Sequence, residues 1–450
     1  IDYDGDPWVF NVSRPYFVTA GLQNRHLSLW ASHGRYYYAD RDVWKWQRPN
    51  LFCTNEDLFT QTIVVPYLIP MLQNAGAIVF TPRERDWQRN EIVIDNDDAV
   101  KSVYYFEKEA GKRWKKCDSL GFANRYRLKD GENPFRMGTV RQAKATKRKK
   151  TSQVSYQPRF KEAGKYAVYV SYQSLPKSVS DARYIVYHKG EATEFSVNQR
   201  MGGGTWVYLG TFDFDKGCNE FNRVVCTNKA SRRGVVTTDA VRFGGGMGNI
   251  ERGGYTSGLP RCLEGARYYA QWAGAPYKVY GGRKGENDYA DDINTRSLMT
   301  NWLGGGSVYM PAKNGKHVPI ELSLALHSDA GYNKDGKSTF GALAICTTDY
   351  NDGILNSGIS RFTSKDFAKA LRDNLVTDLT AQFGEFGKRY LWDRNYSETR
   401  LPEVPSAILE MLSHQNFPDM RIAQDPLGKF YIARSIYKTI LRFVNSNHGT

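Results

Sequence analysis

No apolar run in this chain approaches the roughly 20 residues needed to span a bilayer, and no signal-peptide pattern is present. An integral membrane segment is therefore not expected. Cysteine is scarce: Cys53, Cys117, Cys218, Cys226, Cys262 and Cys346 are the six in 450 residues, and none forms a C-x-x-C pair. That excludes a disulfide scaffold, a zinc ribbon and a dithiol redox site, and leaves open a local bridge between Cys218 and Cys226 in an oxidising compartment. A long internal repeat is also missing. The chain begins at Ile1 rather than Met, the mark of a processed or trimmed chain from which any export signal would have been removed.

What is present is ordinary globular composition, 41% hydrophobic and 24% charged. The length exceeds that of one hydrophobic core, so two domains are expected, one of them able to be inserted in the other. Aromatic residues are abundant at 14%, with 29 Tyr and 10 Trp; such a surplus lines sugar or peptide grooves, or fills the cores of β-rich folds. The formal charge of +15 favours polyanionic partners, whether nucleic acid, anionic glycans, cell-wall polymers or membrane surfaces. The densest basic run, Lys144 to Lys150, lies between apparent strands and lacks interleaved aromatics. It reads as a solvated loop, and no nucleic-acid partner is expected.

Along the chain the texture changes twice. Up to about residue 90 it is α/β: Leu27, Leu29 and Ala31 alternate in a strand that ends at Ser32-His33-Gly34. Thr54 with Asp57 resembles a capping box opening a helix that carries Glu56 in its first turn. Pro66 and Pro70 require that helix to kink or restart. Ala77 to Phe80 is a second buried strand. From about Glu91 to Gly246, short alternating runs such as 165–170, 184–187, 205–209 and 235–241 are separated by turn residues and predict a β-sandwich. The α/β texture then returns, with a helix over 263–272, a strand at 322–326 leading into His327, a helix over 367–383, a strand at 407–409 leading into Glu410, and a closing helix over 431–444.

His33, His327 and Glu410 each follow an apolar strand-like run, and ligands of open α/β sheets gather at the carboxyl ends of strands. Taken singly, each fits a surface or capping residue as well. Together with Glu56 they are the candidates for a hydrolytic zinc site, which needs two histidines and a carboxylate as ligands with a second carboxylate to move protons.

The order of these motifs resembles the zinc-dependent N-acetylmuramoyl-L-alanine amidases. The resemblance rests on Ser32-His33-Gly34, the helix opening at Glu56, Gly76 to Asp86, Leu326-His327-Ser328-Asp329-Ala330, and Val404 to Glu410 with Asn416 beyond. It covers roughly residues 25 to 90 and 255 to 445. The chain departs from the family pattern at Ala31-Ser32, at Pro82 and between Met411 and Gln415. The resemblance implies Zn²⁺ held by His33, Glu56 and His327, with Glu410 as the catalytic proton carrier, on an open, mostly parallel sheet flanked by helices. It implies cleavage of the amide between N-acetylmuramic acid and L-alanine in peptidoglycan or muropeptides, by a secreted, periplasmic or cell-surface bacterial protein. Asp329 then either orients His327 or forms a turn before Gly331. His414, placed one helical turn beyond Glu410, is expected to be structural, as Asp86 is in its loop; His26, His188, His317 and His448 have no partner in sequence.

The middle module is similar to golvesin C-terminal-like domains, which also occur in xanthan-lyase-like proteins, through Glu91 to Asp97, Gly203 to Phe212 and Asp239 to Gly245. That implies a carbohydrate-binding-type all-β sandwich, with Trp206 and Tyr208 on one face either to stack on sugars or to pack the core. The expected organisation is an amidase-like domain at 1–90 and 247–450 interrupted by a sandwich at 91–246. Two other classes fit parts of the sequence: a non-catalytic glycan-binding protein on an amidase scaffold, and a polysaccharide lyase.

Overall fold

A computed structural model describes residues 1–52, 54–101 and 104–447, with 99–101 described by their backbone alone; Cys53 and His448 lie outside it. The fold is mixed α/β. One six-stranded sheet runs, in spatial order, through Lys388–Asp393, Ala342–Cys346, Ser406–Ser413, Ile320–Asp329, His26–Ala31 and Ile78–Phe80. Neighbours in it pair in parallel, except that Ala342–Cys346 runs antiparallel to Ser406–Ser413.

Side chains alternate across this sheet. Leu322, Leu324, Leu326, Ala344, Leu409 and Met411 share a buried core with Leu371 and Leu375 of the helix Phe362–Phe383 and with Ile432 and Ile436 of Pro426–Asn447. The opposite parity holds Trp30, Ala325, Leu343, Ile345 and Ile408, with Trp392 against them. His327 and Glu410 have the parity of Ala325 and Ile408, so both belong to this second face.

The Glu56 helix begins one residue later than the capping-box reading requires. Its cap is Asn55, whose side chain accepts from Leu58 N at 2.9 Å, because the short Asn side chain reaches back to the exposed amide of the first turn. The two prolines are accommodated by a widened π turn at Val64–Leu68, containing Pro66, and by a restart at Ile69–Asn74 with Pro70 in its first turn. A π turn lengthens the hydrogen-bond step, which relieves the break that proline imposes.

The strands between Ile92 and Phe243 form antiparallel sheets, except that Leu128–Lys129 pairs in parallel with Ile250–Glu251. A second six-stranded sheet includes Glu191–Val197, Ala182–His188 and Arg223–Thr227, and a four-stranded one includes Gly164–Val170, Val207–Phe214 and Ala240–Phe243. The strand expected over 235–241 is two: Val235–Thr238 and Ala240–Phe243 lie in different sheets, and the chain crosses at Asp239, whose buried Oδ2 accepts from Phe122 N at 2.9 Å. Residues 147–150 of the basic run are exposed. The first strand of the chain, Val9–Asn11, pairs with Phe195 to Val197 at the edge of the second six-stranded sheet. Cys218 and Cys226 are both free thiols, so the local bridge does not form. Among the described residues no helix is long and apolar enough to cross a membrane.

Candidate metal centre

His33 follows the strand His26–Ala31, Glu56 opens its helix, and His327 lies near the end of Ile320–Asp329. The fold brings the three together: all are buried, and one potential ligand atom from each lies within 4.8 Å of the others. The two imidazoles meet edge to face with ring centroids 4.8 Å apart. Glu410 faces His327 across the adjoining parallel strands, where the two are register partners. Its side chain is partly exposed, but Oε2 is shielded from water and has no hydrogen-bond partner.

Surrounding groups hold each imidazole in place. His33 Nδ1 lies 2.9 Å from Asp57 Oδ1, which turns Nε2 away from that carboxylate, and Asp57 Oδ2 accepts from Arg48 N at 3.1 Å. His327 Nδ1 lies 2.8 Å from Glu56 Oε1, and its Nε2 lies 2.6 Å from Glu398 Oε2. Sequence reasoning missed Glu398. It sits on the short helix Ser397–Arg400 and also receives Trp30 Nε1 at 2.9 Å and the guanidinium of Arg296. Arg296, on the helix Asp288–Gly304, is braced in turn by Asp292 at 2.8 Å.

The electrostatics follow from burial and from these partners. Burial acts to lower the His327 pKa, but Glu398 and Glu56 more than offset this and raise it to about 10. His33 is pushed well below its usual value by burial, then by Arg296 and by His327. Burial works to raise Glu398, yet His327 and Arg296 bring it down to about 2. Asp57 is raised to about 7 by burial and by neighbouring Glu56. Glu410 is raised to about 8, chiefly by burial, with His327 opposing and Glu56 assisting.

Other residues singled out in the sequence serve elsewhere. Asp329 pairs with Arg389 and accepts from Ala330 N at 2.7 Å; the groups bonded to the His327 ring are Glu56 and Glu398 instead. His414 is not a helical turn beyond Glu410, because Glu410 lies in the strand Ser406–Ser413; His414 follows that strand, buried, with Nδ1 2.8 Å from Ser328 Oγ. Asp86 ties its loop to the β region by accepting from Ala167 N at 2.8 Å. His26 Nε2 accepts from Trp8 N at 3.0 Å, His188 meets Thr193 Oγ1, and His317 meets Gly306 O. Trp206 is 3% exposed among Phe122, Phe135 and Trp272, so it packs the core, while the Arg85 guanidinium lies 4.0 Å from the centroid of the Tyr208 ring.

Comparison with known proteins finds similarity to two groups. Over 97 residues the chain is 34% identical to a xanthan lyase from Bacillus sp. (strain GL1), a match covering 21% of this chain. It spans about a tenth of the length of that relative, 10%. Among solved structures, a Paenibacillus xanthan lyase is similar at 20% identity and TM-score 0.27, over 34% of this chain and 13% of that one. The N-acetylmuramoyl-L-alanine amidase from Clostridium difficile 630 is similar at 14% identity and TM-score 0.25, over 38% and 79%. An N-acetylmuramyl-L-alanine amidase from Mycobacterium smegmatis is similar at 20% identity and TM-score 0.26, again over 38% and 79%. Residues 129–245 match the Golvesin C-terminal domain family.

Proposed function

We propose that the protein is a zinc-dependent N-acetylmuramoyl-L-alanine amidase, acting outside the cytoplasm on peptidoglycan or muropeptides, with residues 1–90 and 247–450 as the catalytic part, apart from the strand Val9–Asn11 that joins the β region, and 91–246 as an inserted sandwich. The observation that carries this reading is the convergence of His33, Glu56 and His327 within 4.8 Å, beside a carboxylate whose Oε2 has no partner, from motifs nearly 300 residues apart along the chain. The donor set fits zinc: two imidazoles and a carboxylate are its usual hydrolytic ligands. Asp57 behind His33 and Glu398 behind His327 supply the outer carboxylates that fix ring orientation at such centres.

Bound there, zinc would supply Lewis acidity toward the amide carbonyl and toward water. The remaining chemistry falls to the chain's own groups. Asp57 fixes His33 through Nδ1, and Arg296 fixes Glu398, which in turn fixes His327. Glu410 accepts at Oε2 the proton released when water attacks the lactyl amide and returns it to the departing L-alanine nitrogen, which as a poor leaving group must be protonated.

The test is metal analysis of the purified protein together with a muropeptide digest. Equimolar zinc and release of the stem peptide with a free L-alanine amino terminus are expected; a metal-free protein, or an intact amide after prolonged digestion, removes the assignment. The xanthan lyase match favours one second reading, eliminative cleavage of a polysaccharide. That reaction leaves an unsaturated sugar absorbing in the ultraviolet, so the same digest separates the two.

A further inference from the structure

The outermost strand of the site sheet, Lys388–Asp393, carries two parallel aromatic rings. Tyr390 and Trp392 have centroids 5.9 Å apart and planes 12° apart. Being two residues apart on a strand, they share one face, and Trp392 identifies which: it packs against Trp30, Ala325, Leu343, Ile345 and Ile408, the face that carries His327 and Glu410. The pairing gives the distance. Leu343 is the register partner of Glu410 on one side, and on the other it lies between the pairs Ala342 with Lys388 and Ala344 with Leu391, where a bulge sets both Arg389 and Tyr390 opposite it. Two strand spacings therefore separate Tyr390 from Glu410, about 10 Å.

The rings are braced from one side. The Arg394 guanidinium lies 4.5 Å from the centroid of the Trp392 ring, so arginine, tryptophan and tyrosine form a short ladder that ends at Tyr390, which is 64% exposed. Of the neighbouring basic side chains, Lys388 pairs with Asp373 at 2.9 Å and Arg389 with Asp329, while Arg394 lies against Trp392. What Tyr390 itself offers a ligand is the face of an exposed aromatic ring.

We infer that Tyr390 is a substrate-positioning residue, a stacking platform for a pyranose ring of the glycan, holding the saccharide on the same sheet face as Glu410 and His327. This rests on the reading of the site as a glycan-processing centre. A sugar ring presents a face of C–H groups that packs on an aromatic ring as apolar surface. Proximity to the candidate site selects the occupant: Tyr390 stands about 10 Å from Glu410 across two strand spacings, a distance that a saccharide attached to an amide held at Glu410 spans.

The experiment is calorimetric titration of the zinc-loaded protein with peptide-free β-1,4-linked N-acetylhexosamine oligosaccharides, compared across wild type, Tyr390→Phe and Tyr390→Ala. Tyr390→Ala is expected to weaken binding about five- to tenfold, with Tyr390→Phe staying within about twofold because the ring is retained. On muropeptide, Tyr390→Ala is expected to raise KM with kcat unchanged. Equal saccharide affinity in all three proteins, or no saccharide binding by wild type, overturns the inference; a Tyr390→Phe variant as weak as Tyr390→Ala overturns it too, since the ring would not be what binds. Saccharide binding that depends on the ring, in a protein that leaves muropeptide amides intact, would sink the amidase reading while sustaining the platform.

Discussion

Glu398 Oε2 lies 2.6 Å from His327 Nε2, and the same carboxylate holds Arg296 and Trp30. One glutamate on a four-residue helix thereby ties the central strand's histidine to a neighbouring strand and to a helix more than a hundred residues away in sequence.

Removing that charge should loosen both the metal and the fold. Glu398→Gln keeps the shape and an acceptor for Trp30, but it leaves the buried Arg296 with Asp292 as its remaining counter-charge, so the melting temperature is expected to fall. Zinc affinity is expected to fall about 10- to 100-fold, measured by competition with a chromogenic chelator. Unchanged affinity would show that Glu398 plays no part in the centre.

Glu410 and the candidate ligands should separate by readout. Glu410→Ala is expected to retain stoichiometric zinc while losing about 10²- to 10⁴-fold in kcat on muropeptide; His327→Ala is expected to lose the metal as well. Zinc content and single-turnover rates on the two variants decide it, and full activity in either removes that residue from the mechanism.

The buried pair Arg242 and Glu84 joins the loop after Ile78–Phe80 to a strand of the β region. Nη1 and Oε2 are 2.6 Å apart, with both side chains wholly inaccessible. Glu84→Gln is expected to cost about 3 to 5 kcal/mol, because it leaves a buried guanidinium short of its counter-charge; Glu91, at 3.7 Å, remains as a weaker partner. Replacing both with apolar residues of similar volume should cost less than the single change. Urea midpoints test this, and a single-mutant loss under 1 kcal/mol would contradict it.

His26 should make stability pH-dependent. Burial, with Arg25 adding to it, lowers its pKa to about 3, against about 6.5 in the unfolded chain. Between those values the unfolded state binds the extra proton, so this group's contribution is intact above pH 6.5 and declines as pH falls, by about 1.4 kcal/mol per unit. His26→Gln preserves an acceptor for Trp8 N and should flatten the slope of unfolding free energy between pH 6 and 4. An unchanged slope would mean that other groups set it.

The candidate metal site was legible where chemistry coincided with hydrophobic patterning. His33, His327 and Glu410 each end or extend an apolar run, so strand periodicity alone aims them at one sheet end. Glu398 had no such signal, since it lies in the polar stretch from Asp393 to Arg400, far from any buried run. The helix that braces it, Asp288–Gly304, was equally hidden: its buried side includes Asp288, Asp291, Asp292, Arg296 and Thr300, so the apolar stripe by which a helix is read is absent. The helix start at Glu56 was displaced by one residue because Thr54 and Asn55 are both good caps, and only tertiary placement selects between them. Trp206 and Tyr208 were expected on one strand, but the strand begins at Val207 and holds only Tyr208, and alternation cannot say whether a residue meets solvent or a second layer.

The pairing of Val9–Asn11 with Phe195 to Val197 has a practical corollary for anyone dissecting the molecule. The polypeptide commits its opening strand to the antiparallel assembly before it lays down the strand that precedes His33. Excising residues 91–246 alone would strip that assembly of its outermost member and leave the Phe195 row with bare amides and carbonyls, an invitation to edge-to-edge association. A soluble fragment would need residues 9–11 supplied in trans or grafted through a linker.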